Sequence, residues 1–154
     1  MSNQAVSAYL IVLVVVEHEG RYLLIHEARH GQTWYLPAGR VEPGETLIEG
    51  AVRETQEEAG VLVRPTGLIA LDHSWSGSGA SAYTRLRFAL QAVPVGSVTP
   101  KRFADEHSLE ARWFTRKEID ALPLRGDDAT TFIDIVNARS PVLPIDRYAA
   151  LRGW

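Results

Sequence analysis

The spacing of apolar positions changes along this chain, and the changes mark out its elements. Ala8 to Val16 is almost continuously apolar and rich in β-branched residues, which predicts a strand buried on both faces. His18-Glu19-Gly20 turns it into a second strand, Arg21 to Glu27, and Trp34-Tyr35-Leu36 is a short third strand running into Pro37-Ala38-Gly39. From Leu47 to Ala59 the period becomes helical, with Leu47, Ile48, Ala51, Val52 and Thr55 on one stripe. Thr46 and Glu49 form a capping box at its start, and Gly60 ends it as a residue free to turn left-handed. The preceding Glu42-Pro43-Gly44-Glu45 is turn chemistry.

Beyond the helix, Gly67 to Asp72 and Ala82 to Val93 read as two strands. The Ser/Gly-rich segment His73 to Ser81, with Trp75 in it, joins them either as a lid or as a plain hairpin connection. Residues 94–107 read as loop and Glu110 to Phe114 as a short strand. Thr115-Arg116-Lys117-Glu118 is a second capping box, opening a helix to about Leu122. Asp127 to Ala138 is an amphipathic helix with Phe132, Ile133 and Val136 inward. Strands interleaved with few helices predict an α/β chain, a mixed sheet packed between helices. With no repeat, linker or low-complexity segment, one domain is expected over residues 1–154.

Composition narrows the setting. The chain has 154 residues, 45% of them hydrophobic, enough for one sizeable core. It has no cysteine, which excludes disulfides and thiolate metal sites. The apolar run Leu10 to Val16 is too short to span a bilayer and lacks the flanks of a signal peptide, so a cytoplasmic protein with no membrane partner is expected. The net charge of −3 comes without a basic stripe, which argues against a nucleic acid polymer as partner. A monomer or homodimer is expected.

The charge is unevenly placed. Of 16 basic and 19 acidic residues, the segment Gly39 to Val61 holds two arginines and six glutamates, leaving 14 basic and 13 acidic side chains elsewhere. On the predicted helix Glu54, Glu57 and Glu58 are three and four positions apart, so their side chains share adjoining parts of one surface. Two carboxylates about 6 Å apart repel by roughly 3 kcal/mol at an effective dielectric near 20, which a purely structural helix gains nothing from. Hard divalent cations require oxygen ligands of this kind, Mg²⁺ being held by a few carboxylates together with phosphate oxygens and waters. The alternative is a solvated helix face partly neutralised by Arg53.

The order of the block separates these readings. Gly39 is followed after five residues by Glu45, after seven more by Arg53-Glu54, and then by Glu57-Glu58 and Gly60-Val61. This resembles the signature of the Nudix hydrolases at all seven fixed identities, with Thr55 in a slot that is apolar in the family. The resemblance implies an α/β/α sandwich in which a loop, helix and loop bind Mg²⁺ or Mn²⁺ and direct water onto a diphosphate linkage. Carried onto this chain, it makes Glu54 and Glu58 the leading metal ligands, Glu57 a third, and the carbonyl of Ala38 a further one. Glu54 is also a candidate base, Arg53 would orient a neighbouring glutamate, and Gly39, Glu45 and Gly60 support the motif.

The substrate is less determined. Trp34 to Thr46 is similar to the corresponding run of human family members that hydrolyse oxidised guanine nucleoside diphosphates, and Ala104-Asp105, Ser108-Leu109 and Ala111 are similar to the same branch. Bacterial members acting on nucleotides or thiamine-precursor pyrophosphates carry a similar Pro-Ala-Gly turn. The resemblance thus implies a metal-dependent pyrophosphohydrolase acting on a nucleoside di- or triphosphate. The alternatives are other diphosphate derivatives, such as a nucleotide sugar or ADP-ribose, and a non-catalytic nucleotide-binding module. Arg40 is a candidate phosphate contact or a solvent-facing loop residue. Trp75, Glu106 and Glu110 are candidate substrate contacts, the last two also fitting ordinary surface acids. His26, His30, His73 and His107 lack the spacing of a zinc site.

Overall fold

The computed structural model describes residues 7–147. Eight strands form one mixed sheet: β1 (Ala8–His18), β2 (Arg21–Glu27), β3 (Trp34–Tyr35), β4 (Ala38–Arg40), β5 (Val63–Ser76), β6 (Tyr83–Pro94), β7 (Ser108–Thr115) and β8 (Leu143–Pro144). The helices are α1 (Leu47–Ala59), α2 (Arg116–Ile119) and α3 (Asp128–Asn137). β1 lies at the centre, parallel to β6 from Ala8↔Thr84 to Val16↔Ala92. Its other edge is divided, with Ile11 to Leu13 pairing β4 and Glu17-His18 pairing β2.

The apolar run of β1 serves two cores because successive side chains leave opposite faces of a strand. Val12, Val14 and Val16 pack with Leu23, Ile25 and Leu90 under Leu47, Ala51 and Ala59 of α1. Leu13 and Val15 pack on the other face with Leu24, Ala89 and Trp34 against Phe132, Ile133 and Val136 of α3. The result is an α/β/α sandwich, as expected.

Most boundaries match the local pattern. The β1–β2 hairpin turns on Glu19 (φ 50°) and Gly20 (φ 73°), two left-handed residues of the kind a tight hairpin needs. Thr46 and Glu49 form both bonds of the capping box, and Gly60 ends α1 at φ 72°. Thr55 is fully buried, its hydroxyl donating to the Ala51 carbonyl at 2.8 Å, which satisfies a polar atom in an apolar slot.

Three expectations need correction. The segment His73 to Ser81 is not a loop throughout: β5 continues to Ser76, paired with Tyr83, and only Gly77 to Ala82 connect the strands. Ser-rich residues have weak strand preference, but the β6 ladder supplies their backbone partners. The helix opened by Thr115 ends at Ile119, and Ala121 and Leu122 continue it only as i→i+3 turns ahead of Pro123. β8 was not foreseen; it reaches the β5 edge where Gly67 leaves room, since a Cβ there would lie 2.6 Å from Val142 Cγ2.

Candidate active site

The site begins with one turn and one guanidinium. Gly44 (φ 92°) lets the chain reverse between Glu42 and Glu45, and the Glu45 carboxylate closes the turn by accepting from the Glu42 amide at 2.9 Å. The same carboxylate receives a two-pronged fork from Arg53, Nε at 2.7 Å and Nη2 at 3.0 Å. Arg53 also donates to the Arg40 carbonyl (2.9 Å), to Glu54 Oε1 (2.8 Å) and to Glu57 Oε2 (3.1 Å), so all five of its N–H groups are engaged. Hydrogen bonding from Arg53 holds Glu45 below the ordinary carboxylate range. Arg53 thus fixes the turn to α1 and aligns two glutamates.

Glu54 and Glu58 lie deeper. Glu54 stacks on the backbone of Gly39, where a Cβ would fall 2.0 Å from its Cδ. Gly39→Ala is therefore expected to push Glu54 off the turn and cut turnover on the order of 10²-fold, the cost of a small displacement of this candidate catalytic carboxylate. Steady-state kinetics beside a melting curve checks this; wild-type kcat in a folded variant would show that the contact is dispensable.

Glu58 accepts from the Ala38 amide at 2.8 Å. Burial pushes its carboxyl up to about 8, the Ala38 bond opposing and the charges of Glu54 and Glu27 adding to the rise. Burial likewise raises Glu54, against the pull of Arg53. Because the folded protein holds the Glu58 proton more tightly than the unfolded chain, that contribution to stability is complete below about pH 4.5 and is lost as pH rises through about 8. In chelator, the melting temperature is expected to fall between about pH 5 and 8, and to fall less in Glu58→Gln. Equal slopes in the two proteins would remove Glu58 as the cause.

Residues 101–108 clamp the end of α1. Lys101 Nζ donates to the Glu57 carbonyl (3.0 Å), Ser108 Oγ to the Glu58 carbonyl (2.6 Å) and the Lys101 amide to the Ala59 carbonyl (2.8 Å), so three carbonyls of the last turn find partners. The Lys101 side chain is 4% exposed and paired with both oxygens of Asp105, whose carboxyl that bond lowers to about 2. The clamp carries Glu106 and His107 to a cleft of about 370 Å³ that Glu58, Ala38, Glu27 and His30 also line.

A second cleft, of about 280 Å³, adjoins the first at Ala38, His30 and Arg125, and is lined by Arg40, Arg85 and Arg87. Arg40 lies over the Tyr9 ring at 4.1 Å, and Arg87 is held between Asp72 and Asp128. A third cleft, where Tyr9, Arg40 and Pro43 meet, reaches Glu54.

The structure therefore gathers Ala38, Gly39, Arg40, Glu45, Arg53, Glu54, Glu57, Glu58 and Glu106, with Gly60 ending α1. Glu110 instead binds Arg112 through two bonds of 2.8 and 2.9 Å and lines none of these clefts. Trp75, 76% exposed, is on β5 one residue out of phase with Asp72 and Ser74, so it faces away from the arginine-lined cleft. Sequence reading missed Lys101, Arg85, Arg87 and Arg125. Only Arg85 and Arg87 left a signal there, as charges at alternate positions of a strand.

The donors suit a hard cation: half-buried carboxylates on Glu54 and Glu58 and a backbone carbonyl, with no sulfur. No three acidic or histidine side chains among the described residues converge closely enough to hold a metal unaided.

The chain belongs to the Nudix family, the NUDIX domain model matching residues 7–134. A Nudix hydrolase from Nitrosomonas europaea superposes with a TM-score of 0.78 at 30% identity, over 96% of this chain and all of that one. The 8-oxo-dGDP phosphatase NUDT18 is 38% identical in mouse over 130 residues, 82% of this chain, and 34% identical in human over 146 residues, 88% of this chain. Phosphatase NudJ of Escherichia coli K12 is 32% identical over 112 residues, 72% of this chain and 71% of NudJ. This chain spans about two fifths of the length of the NUDT18 proteins, 38% in mouse and 42% in human. No helix among its described residues is long and apolar enough to cross a membrane.

Proposed function

We propose that this chain is a metal-dependent pyrophosphohydrolase that cleaves the diphosphate linkage of a nucleoside di- or triphosphate. The observation that carries it is the pair of half-buried carboxylates, Glu54 on the Gly39 backbone and Glu58 on the Ala38 amide, brought to adjoining clefts with arginines on the far side. Sequence likeness to the 8-oxo-dGDP phosphatase NUDT18 supports the substrate class.

Glu54 and Glu58 would hold Mg²⁺ or Mn²⁺, with Glu57 and the Ala38 carbonyl as further ligands and the remaining positions left to water and substrate. Such an ion supplies Lewis acidity and a more acidic bound water. The residues do the rest. Arg53 Nη1 bridges the Glu54 and Glu57 carboxylates and holds both in orientation. Glu54, whose carboxyl burial raises, would take a proton from water. Glu106, which lines the same cleft as Glu58, would act as a second base or orient that water. The chain acts in the cytoplasm, as a monomer or homodimer.

The test is release of phosphate from a panel of nucleoside diphosphates, including 8-oxo-dGDP, and of pyrophosphate from nucleoside triphosphates, with millimolar Mg²⁺ or Mn²⁺ and with EDTA. Turnover that EDTA abolishes is expected. Absence of turnover on the whole panel with either metal would overturn the reading.

A further inference from the structure

Resting on that reading, we propose that the arginine-lined cleft binds the terminal phosphoryl group of the substrate, so that the chain prefers nucleoside diphosphates over diphosphates whose second half is a neutral sugar. Register builds the cleft. Arg40 of β4, Ile11 of β1 and Arg87 of β6 lie in one row across three strands, and Arg85 stands two positions along β6 from Arg87, on the same face. Gly39, between Ala38 and Arg40, is out of phase with them and faces α1. Arg85 and Arg87 thus occupy the far side of the sheet from Glu54, and Arg40 also borders the cleft that reaches Glu54. The cleft meets the one containing Glu58 at Ala38, so a diphosphate can reach both.

Charge bookkeeping favours an anion there. Arg87 gives Nε to Asp72 and Nη1 to Asp128, which fix its plane and leave Nη2 for a ligand. Tyr35 donates to the same Asp128 at 3.0 Å, and Arg125, bound to Glu27 at 2.8 Å, lies over the Tyr35 ring. Arg40 and Arg85 have no carboxylate partner among the described residues, and no described residue lining the cleft is acidic. Two uncompensated guanidiniums beside two prefixed ones match the planar, multi-acceptor geometry of a phosphoryl group. About 280 Å³ lies just below the usual range for a drug-sized ligand and suits a small polar group with its waters. A sugar hydroxyl would leave the arginines uncompensated, which discriminates against nucleotide sugars.

The experiment uses the full chain and Arg85→Gln, a half-exposed residue whose replacement breaks no ion pair among the described residues. In EDTA, which silences the carboxylate side, inorganic pyrophosphate is titrated by calorimetry. Wild type is expected to bind it and Arg85→Gln to bind about tenfold more weakly or worse, the value of one charged hydrogen bond. With Mg²⁺, the ratio of kcat/KM for GDP over GDP-mannose is expected to fall about tenfold in Arg85→Gln, through KM on GDP. Equal pyrophosphate affinity in the two proteins, or an unchanged ratio, overturns the proposal. A chain inert on every diphosphate yet losing pyrophosphate with Arg85→Gln would sink the enzymatic reading and leave the cleft standing.

Discussion

Glu58→Gln is expected to lower kcat on the order of 10²–10⁴-fold at saturating Mg²⁺ while leaving the metal-free fold as stable as wild type or more so. The amide keeps an oxygen for the Ala38 N–H, so the 2.8 Å contact survives. It also removes a carboxyl that burial raises to about 8, and with it the cost of ionising there. Gain of stability with loss of turnover is the mark of a group kept for chemistry. Glu54→Gln is expected to behave alike, though its bond from Arg53 makes the stability gain smaller. Kinetics with saturating Mg²⁺ and melting in EDTA decide it: a Glu58→Gln enzyme within about threefold of wild-type kcat would contradict the metal-ligand role.

Arg53→Ala should do the opposite to stability and the same to activity. Three carboxylates, Glu45, Glu54 and Glu57, and the Arg40 carbonyl would lose their common donor at once. Removing one partner of a fully buried pair costs about 3–5 kcal/mol. The Arg53 side chain is 23% exposed, so water relieves part of this and about 2–4 kcal/mol is expected. Turnover should be nearly lost, because Glu54 and Glu57 then swing free. Arg53→Lys should recover part of the stability and little of the activity, since an ammonium cannot make the planar fork to Glu45 and still reach Glu54 and Arg40. Urea denaturation of the three proteins measures this, and an Arg53→Ala chain within about 1 kcal/mol of wild type would mean that the fork is ornamental.

Where sequence reading succeeded, the signal was local. The spacing of Glu54, Glu57 and Glu58 is a property of any α-helix, so their common surface followed once Thr46 and Gly60 bounded one. Gly39 is partly legible too: its place in the motif is evident, but its reason, the Glu54 carboxyl resting on its backbone, is a matter of tertiary packing. Trp75 shows the opposite case. In a Ser/Gly-rich context it read as a loop residue able to reach substrate, whereas β6 extends the ladder past it and leaves it on an exposed face.

Period, capping residues and turn chemistry are short-range, so the chain alone determined α1, its carboxylate surface, the central strand with two buried faces and the order of most elements. Tertiary structure decided what depends on pairing between distant segments. The parallel register of β1 with β6 aligns Arg87 with Ile11, and the antiparallel β4 adds Arg40 to that row, which no local pattern contains. Lys101 and Ser108 meet the end of α1 from 44 and 50 positions away because three orphan carbonyls must be satisfied there. Even the raised carboxyl of Glu58 is tertiary in origin, since a helix in water would leave it solvated and only packing against Ala38 removes that water.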